Sequence, residues 1–501
     1  MTPDLPAGDS AEASGPSFGG AAVRSSLSRR GLLRTAGLLP LAAGSAAGSG
    51  CSAGYDLVRP DRAVRVAVSW SATELAAFRR VLRRLDDLPG MAPKTYAVEP
   101  VPLGDDISTA LAARGAGRVD VVMLPMPGLV WENRDVLKPL PAGLLSYDTV
   151  GENYDIVWRD LLFDARAGGD SPAYGLPFKL AHESLVWYRT CVFAKHHLQP
   201  PRTWAEWRDI NARLIEEGVA PLAVAGADGW MLTLFFENLL LGHSPCAYTG
   251  LSASAPRPWN HPDVRDVFVL LGQMWGAPDA LAGGVNRSLV QQFPDAVLEV
   301  FRYHRAAMVV VPDFAEPFVR AYGRPEDDGC ADHWGIFAFP PVDAPDPPLI
   351  AGGDSAVLTQ AAIPEAEDLI RRLAHESAPV DWIRHHGGFI PANRNTPPDH
   401  YTKAMRPFAR QLHEESFQFD LSDQIGAVGG REGLWRVLQD FLAEVGDGNA
   451  DRTQQAADRA IDRLIALEDE AEQPGVDVAA QHRRRRNSAA SIDGCNDLGG
   501  H

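Results

Sequence analysis

Gly15-Pro16-Ser17-Phe18-Gly19 has the spacing of a hydrolase nucleophile elbow, which holds a serine on a sharp turn between a strand and a helix. It lies ahead of the paired arginines Arg29-Arg30 and the apolar run that follows, which read as an export signal, and would be removed with that signal. Asp447-Gly448-Asn449-Ala450-Asp451 opens like a calcium loop, but Arg452 stands where that loop needs glycine and Asp458 where it needs glutamate. The pairs His196-His197 and His385-His386 lack a third group at ligand spacing. Cys191, Cys246, Cys330 and Cys495 form no C-x-x-C pair, and a disulfide framework is not needed at this size. No catalytic residue, metal ligand set or cofactor motif is read from the sequence.

The most specific local pattern is Ser28-Arg29-Arg30-Gly31-Leu32-Leu33-Arg34, paired arginines directly ahead of a short apolar run that ends in small residues near Ala47. It resembles a twin-arginine export signal. The run meets Gly48-Ser49-Gly50-Cys51, small residues before a cysteine as at bacterial lipoprotein processing sites, which makes Cys51 the expected lipid attachment point. Gly48 replaces the usual leucine there, so cleavage without lipidation stays open as an alternative. The expected location is therefore extracytoplasmic, on the outer face of the cell membrane.

A formal charge of -18 over 501 residues disfavours nucleic acid and anionic lipid as main partners, since either needs a basic face. A neutral ligand fits this balance better. No internal stretch reaches the roughly 18 apolar residues of a membrane span, and no coiled-coil seam or long apolar patch suggests oligomerisation, so a monomer is expected.

Val64–Val68 reads as a buried first strand, followed by a capping box at Ser71-Ala72-Thr73-Glu74 and a helix with Leu75, Phe78, Leu82 and Leu85 on one face. A helical segment near Ile107 to Arg114 precedes Val119–Leu124, which has the length and branching of a central strand. A second βα unit runs from Leu185–Tyr188 through the capping box Thr203-Trp204-Ala205-Glu206 to Pro221–Ala225. Leu434, Val437, Leu438, Phe441, Leu442 and Val445 form one apolar stripe. Ligands in such sheets sit outside the carboxyl ends of strands, which nominates Ser69, Trp70 and the Pro125-Met126-Pro127-Gly128 turn by position.

Tyr174-Gly175-Leu176-Pro177-Phe178-Lys179, then Ser184–Tyr188, then Pro200–Trp207 follow one another in an order that resembles the extracellular sugar-binding proteins of ABC importers, the family of maltose-binding protein. Gly226-Ala227-Asp228-Gly229-Trp230, Phe236-Glu237-Asn238, Gly352-Gly353-Asp354 and Gly387–Asn393 extend the resemblance over roughly Val64 to Leu464. It implies a two-lobe α/β fold of the type II periplasmic-binding-protein kind, each lobe a mostly parallel sheet flanked by helices, with hinge crossings near Lys179, Pro341 and Phe389. The expected boundaries are a signal over 1–51, a linker over 52–62, one lobe from 63–180 with 342–388, the other from 181–341 with 389–469, and a disordered tail over 470–501.

The resemblance also implies capture of a sugar or oligosaccharide between the lobes and its delivery to a permease of an ABC importer. Sugars need aromatic faces for their C–H patches and directional polar groups for their hydroxyls. Matched residue by residue, Trp230 and Trp435 are the implied stacking platforms, Phe314 stands where a tryptophan is commoner, and Glu183, Asp228, Asp313 and Asp354 are the implied polar contacts. Trp70 joins them on the strand-end argument. Trp204 and Trp207 are expected in the core, and Lys179 reads as a charge on the hinge surface. A secreted glycan-acting hydrolase and a ligand sensor of the same fold remain the alternatives.

Overall fold

Alternation and β-branching in the first segments produce buried strands that need helices on both sides, and the chain supplies them twice, around two separate hydrophobic cores. The computed structural model describes residues 63–471 apart from 71, 105–106, 108, 113–117, 164–170, 255, 324–333 and 447–448. Arg29, Arg30, Cys51, the linker and the segment beyond 471 lie outside the described residues.

The strands are β1 (Ala63–Val68), β2 (Ala97–Pro102), β3 (Val121–Leu124), β4 (Leu137–Lys138), β5 (Leu176–His182), β6 (Leu185–Tyr188), β7 (Ala220–Ala223), β8 (Ala306–Val310), β9 (Gly335–Ala338), β10 (Ile350–Thr359), β11 (Ile390–Pro391) and β12 (Gln418–Phe419). The first sheet has the order β11-β5-β10-β3-β1-β2, with β4 and β12 also on β10; the second has the order β7-β8-β6-β9. β1 is parallel to β2 and β3, and β7 to β8, as βαβ units require. β10 runs antiparallel to β3 and β5, and β6 antiparallel to β8 and β9. Both sheets are therefore mixed instead of mostly parallel, because the strands next to the crossings enter their sheets from the other lobe's side.

The chain passes between lobes at Glu183-Ser184, between β9 and β10, and after β12. These passages are bonded together: Glu183 donates its N–H to the Ile350 carbonyl at 3.0 Å, Ile350 donates to Ser184 Oγ at 2.9 Å, and Asp420 donates to the Ala351 carbonyl at 3.1 Å. The third passage corrects the sequence reading, which puts it near Phe389 and assigns 389–469 to the second lobe. Ile390 pairs with Leu180 of β5, Phe419 pairs with Ala351 of β10, and Phe389, Ile390, Leu412 and Phe419 belong to the first core. The chain leaves the first lobe only at Asp420.

Trp204 and Trp207 are buried in the second core, and Thr203 caps their helix by accepting the Glu206 N–H at 3.2 Å. The stripe from Leu434 to Val445 lies on one helix, and its six residues Leu434, Val437, Leu438, Phe441, Leu442 and Val445 are buried. Cys191 and Cys246 are disulfide-bonded, a crosslink that their spacing in the sequence does not announce.

Candidate ligand-binding site

Lys179 lies in β5, a strand buried along all seven residues, and faces Asp354 of β10 as its cross-strand partner. Its ammonium is 3.2 Å from Glu74 Oε1, in the first turn of the helix Ala72–Arg84. Four rings surround it: Phe314 at 5.0 Å, Trp382 at 5.6 Å, Phe389 at 5.9 Å and Trp70 at 6.0 Å from the ring centres. Burial alone would lower its pKa, yet the carboxyl groups of Glu74, Asp354 and Asp313 outweigh burial and hold it above the usual lysine value. Lys179 is 3% exposed, so it is a buried ion and not the hinge-surface charge that its sequence context suggests.

Burial raises Asp313 and Asp354, and Lys179 only partly offsets this. Asp313 and Asp354 are each pushed up to about 7. Asp313 Oδ1 accepts the His182 N–H at 2.7 Å, while Asp313 Oδ2 and Asp354 Oδ1 are buried without a hydrogen-bond partner. Glu183 stands on the first passage, and burial, then the carboxyls of Asp420 and Asp423, raise it well above the carboxylate range. Its Oε2 is likewise buried and unpartnered. The carboxyl fits only because residue 352 is glycine: a Cβ there would lie 2.1 Å from Glu183 Oε1. Behind it, Glu237 accepts the N–H groups of Leu421 at 2.5 Å and Ser422 at 3.0 Å and the Tyr248 hydroxyl at 3.2 Å.

Phe314 belongs to the segment after β8 and touches the first lobe, since Gly388, at φ 60°, has no room for a Cβ beside the Phe314 Cα. Glu316 fixes this junction by accepting the Gly388 N–H at 2.9 Å and the Thr402 hydroxyl at 2.8 Å. Trp230 opens the helix Gly229–His243, half-buried, with its ring 5.9 Å from Phe314 and 6.0 Å from Phe293. Trp435 lies against Gly229, and its Nε1 is buried without a partner.

Two mixed α/β lobes, joined by three bonded passages, thus meet over a patch of rings and unpartnered carboxyl oxygens. A family model described as bacterial extracellular solute-binding protein matches residues 98–251. The chain is 29% identical over 387 residues to the osmoprotective compounds-binding protein GgtB of Synechocystis, which covers 73% of this chain and 86% of that one. Over these spans the chain is similar to the bacterial extracellular solute-binding proteins. The alpha-glucosides-binding periplasmic protein AglE of Rhizobium meliloti is 24% identical over 406 residues, 76% of this chain and 83% of that one. Among solved structures, a chitin oligosaccharide binding protein aligns with a TM-score of 0.63 at 19% identity, covering 82% of this chain and 98% of the other. A solute-binding protein of Thermotoga lettingae bound with alpha-D-tagatose aligns at 0.60 and 18%, covering 80% and 100%. These likenesses show the two-lobe type II fold.

Within this fold the nominated residues fall into three places. Asp313, Phe314 and Asp354 gather around Lys179; Trp230 adjoins Phe314, with Trp435 behind it on Gly229; Glu183 stands with Glu237, Asp420 and Asp423 at the passages. Asp228 takes the N-terminal position of its helix, but its carboxylate accepts the Phe293 N–H at 2.5 Å instead of capping. The reading of Trp70 as a ligand-facing ring needs correction. It is 4% exposed and meets Phe78 at 4.9 Å and Trp382 at 5.0 Å edge-on, so it packs in the first core and backs the Lys179 cage. Lys179, Glu74, Trp382, Phe389 and the carboxyls at 237, 420 and 423 are additions from the structure. A lysine in a seven-residue stretch of otherwise mostly apolar residues was the available signal for the first of them.

Proposed function

We propose that the protein captures a sugar or oligosaccharide at the junction of its lobes and delivers it to the permease of an ABC importer, without turning it over. One observation carries this reading. The oxygens Asp313 Oδ2 and Asp354 Oδ1, around the Lys179 cage whose rings come from both lobes, and Glu183 Oε2 at the first passage are buried without partners. Buried acceptors without donors are costly, and ligand hydroxyls would satisfy them while Trp230, Phe314 and Trp435 offer apolar faces. Asp228 is the outer polar contact in this reading. The likeness to an alpha-glucosides-binding protein and to a chitin oligosaccharide binding protein supports the ligand class. The designation ABC transporter extracellular-binding protein, carried by a Pyrococcus horikoshii relative 26% identical over 227 residues, supports the partner; the match covers 41% of this chain and 47% of that one.

The receptor acts as a monomer tethered to the outer face of the cell membrane through Cys51, after export directed by Arg29 and Arg30; no nucleic acid and no cofactor enter the reading.

Thermal melting against a panel of mono- and oligosaccharides tests it: a bound sugar raises Tm by linkage and is recovered intact. Trp230→Ala should weaken that sugar about tenfold with the fold retained, because a stacking face is worth about 0.5 to 1.5 kcal/mol beyond its area. Trp204→Ala should keep the affinity and lose about 3 to 5 kcal/mol of stability. A panel without any stabilising sugar, or release of a hydrolysis product, overturns the reading.

A further inference from the structure

On the outer side of the second lobe, the helix Gly229–His243 ends beside the start of the helix Pro262–Trp275. Asp263 and Asp266, three residues apart, share one face of the second helix. His243 at the end of the first helix points its ring between them: His243 Nε2 is 3.8 Å from Asp266 Oδ2, and one ligand atom from each of His243, Asp263 and Asp266 falls within 4.8 Å of the others.

The other face of the imidazole decides what Nε2 can do. His243 Nδ1 is 2.6 Å from Asp343 Oδ2. Asp343 is itself held in place, because Val342, Asp343 and Ala344 all donate their N–H groups to the carbonyl of Gly242, the residue before His243. This fixed carboxylate occupies Nδ1, so Nε2 is the ring nitrogen left to face the two aspartates, the arrangement in which a carboxylate orients histidine as a metal ligand. Nε2 is buried and makes no hydrogen bond.

We propose that His243 Nε2 with the carboxylates of Asp263 and Asp266 forms a binding site for a divalent transition ion of the zinc class, with Asp343 as the positioning residue and water in the open position. Imidazole selects for zinc-type ions over magnesium or calcium, which prefer all-oxygen shells. Zinc bonds of about 2.0 to 2.2 Å put neighbouring ligand atoms roughly 3.3 to 3.6 Å apart. The 3.8 Å separation is near that already, and the Asp266 side chain, 60% exposed, is free to close the remainder. Arg265, between the two aspartates, is hydrogen-bonded to Asp458 at 2.7 Å, and its charge also acts on Asp266. His261, 3.6 Å from Asp263, is a further basic group beside the cluster. Because Asp343 lies on the passage between β9 and β10, the ion would tie both helices to that passage.

Titration calorimetry of the chelator-treated full chain with zinc chloride tests this. One equivalent should bind with a Kd of micromolar order or tighter, and magnesium chloride should give no comparable heat. Asp266→Asn, on an exposed side chain, should keep the fold and weaken zinc at least tenfold. Asp343→Asn should weaken it less, and His243→Ala should abolish the equivalent. Equal zinc binding in Asp266→Asn and wild type would place the ion elsewhere. Binding only at millimolar zinc would leave the cluster an ordinary ion-pair network. Either result overturns the site.

Discussion

Asp313 and Asp354 take their chemistry from burial, which pushes both to about 7 while Lys179 pulls the other way. Their folded-state values lie above the ordinary aspartate value near 3.9, so the folded protein holds protons that the unfolded chain releases. The stability they contribute is fully present below that ordinary value and is lost as pH rises through about 7. Melting temperature should therefore fall between pH 5 and 8 more steeply in the wild type than in the double variant Asp313→Asn, Asp354→Asn, as differential scanning calorimetry would show; equal slopes would contradict the assignment. His182 works in the opposite sense, since burial holds it neutral down to about 4. Little of this could be read from residues alone. The rings around Lys179 stand at positions 70, 314, 382 and 389, and only the fold brings them to one ammonium. Trp70 illustrates the converse: its place at a strand end was legible, but which way its ring turned depended on Phe78 and Trp382.

β10 carries the site on one face and the sheet on its edges, and its two adjacent glycines do different work. A Cβ on Gly352 would meet the end of the Glu183 side chain, whereas a Cβ on Gly353 would lie 2.3 Å from the Lys179 carbonyl oxygen in the neighbouring strand. Side-chain ends shift more cheaply than paired backbone. Gly353→Ala should thus destabilise the protein by about 1 to 3 kcal/mol in urea unfolding, while Gly352→Ala should mainly reduce ligand affinity; comparable losses of stability in both would contradict this division. At this scale the long elements were legible. β6 and the helix Leu434–Val445 have the expected bounds because their periodicity spans enough residues to be distinctive. β11 and β12 have two residues each, too few to show any alternation, and their pairing with β5 and β10 is what moves the third passage from Phe389 to Asp420.

For the whole molecule, two charges and one thiol at the N-terminus determine where the receptor works in the proposed reading. Replacing Arg29 and Arg30 with lysine should stop export, and Cys51→Ala should leave export intact but release the protein from the membrane fraction. Retention of the Cys51→Ala protein in that fraction, its N-terminus uncleaved, would remove the lipid anchor. The disulfide state of Cys191 and Cys246 suits an oxidising compartment and so agrees with export. Lys179, finally, equips the protein with its own reporter. Amine-reactive acylating reagents need an accessible, deprotonated nitrogen, and Lys179 offers neither while Phe314 of one lobe covers it against Trp382 and Phe389 of the other. Separation of the lobes would uncover it, so the acylation rate of Lys179 relative to exposed Lys195, followed by peptide mass spectrometry, should read the fraction of molecules open at any moment and fall as ligand is added.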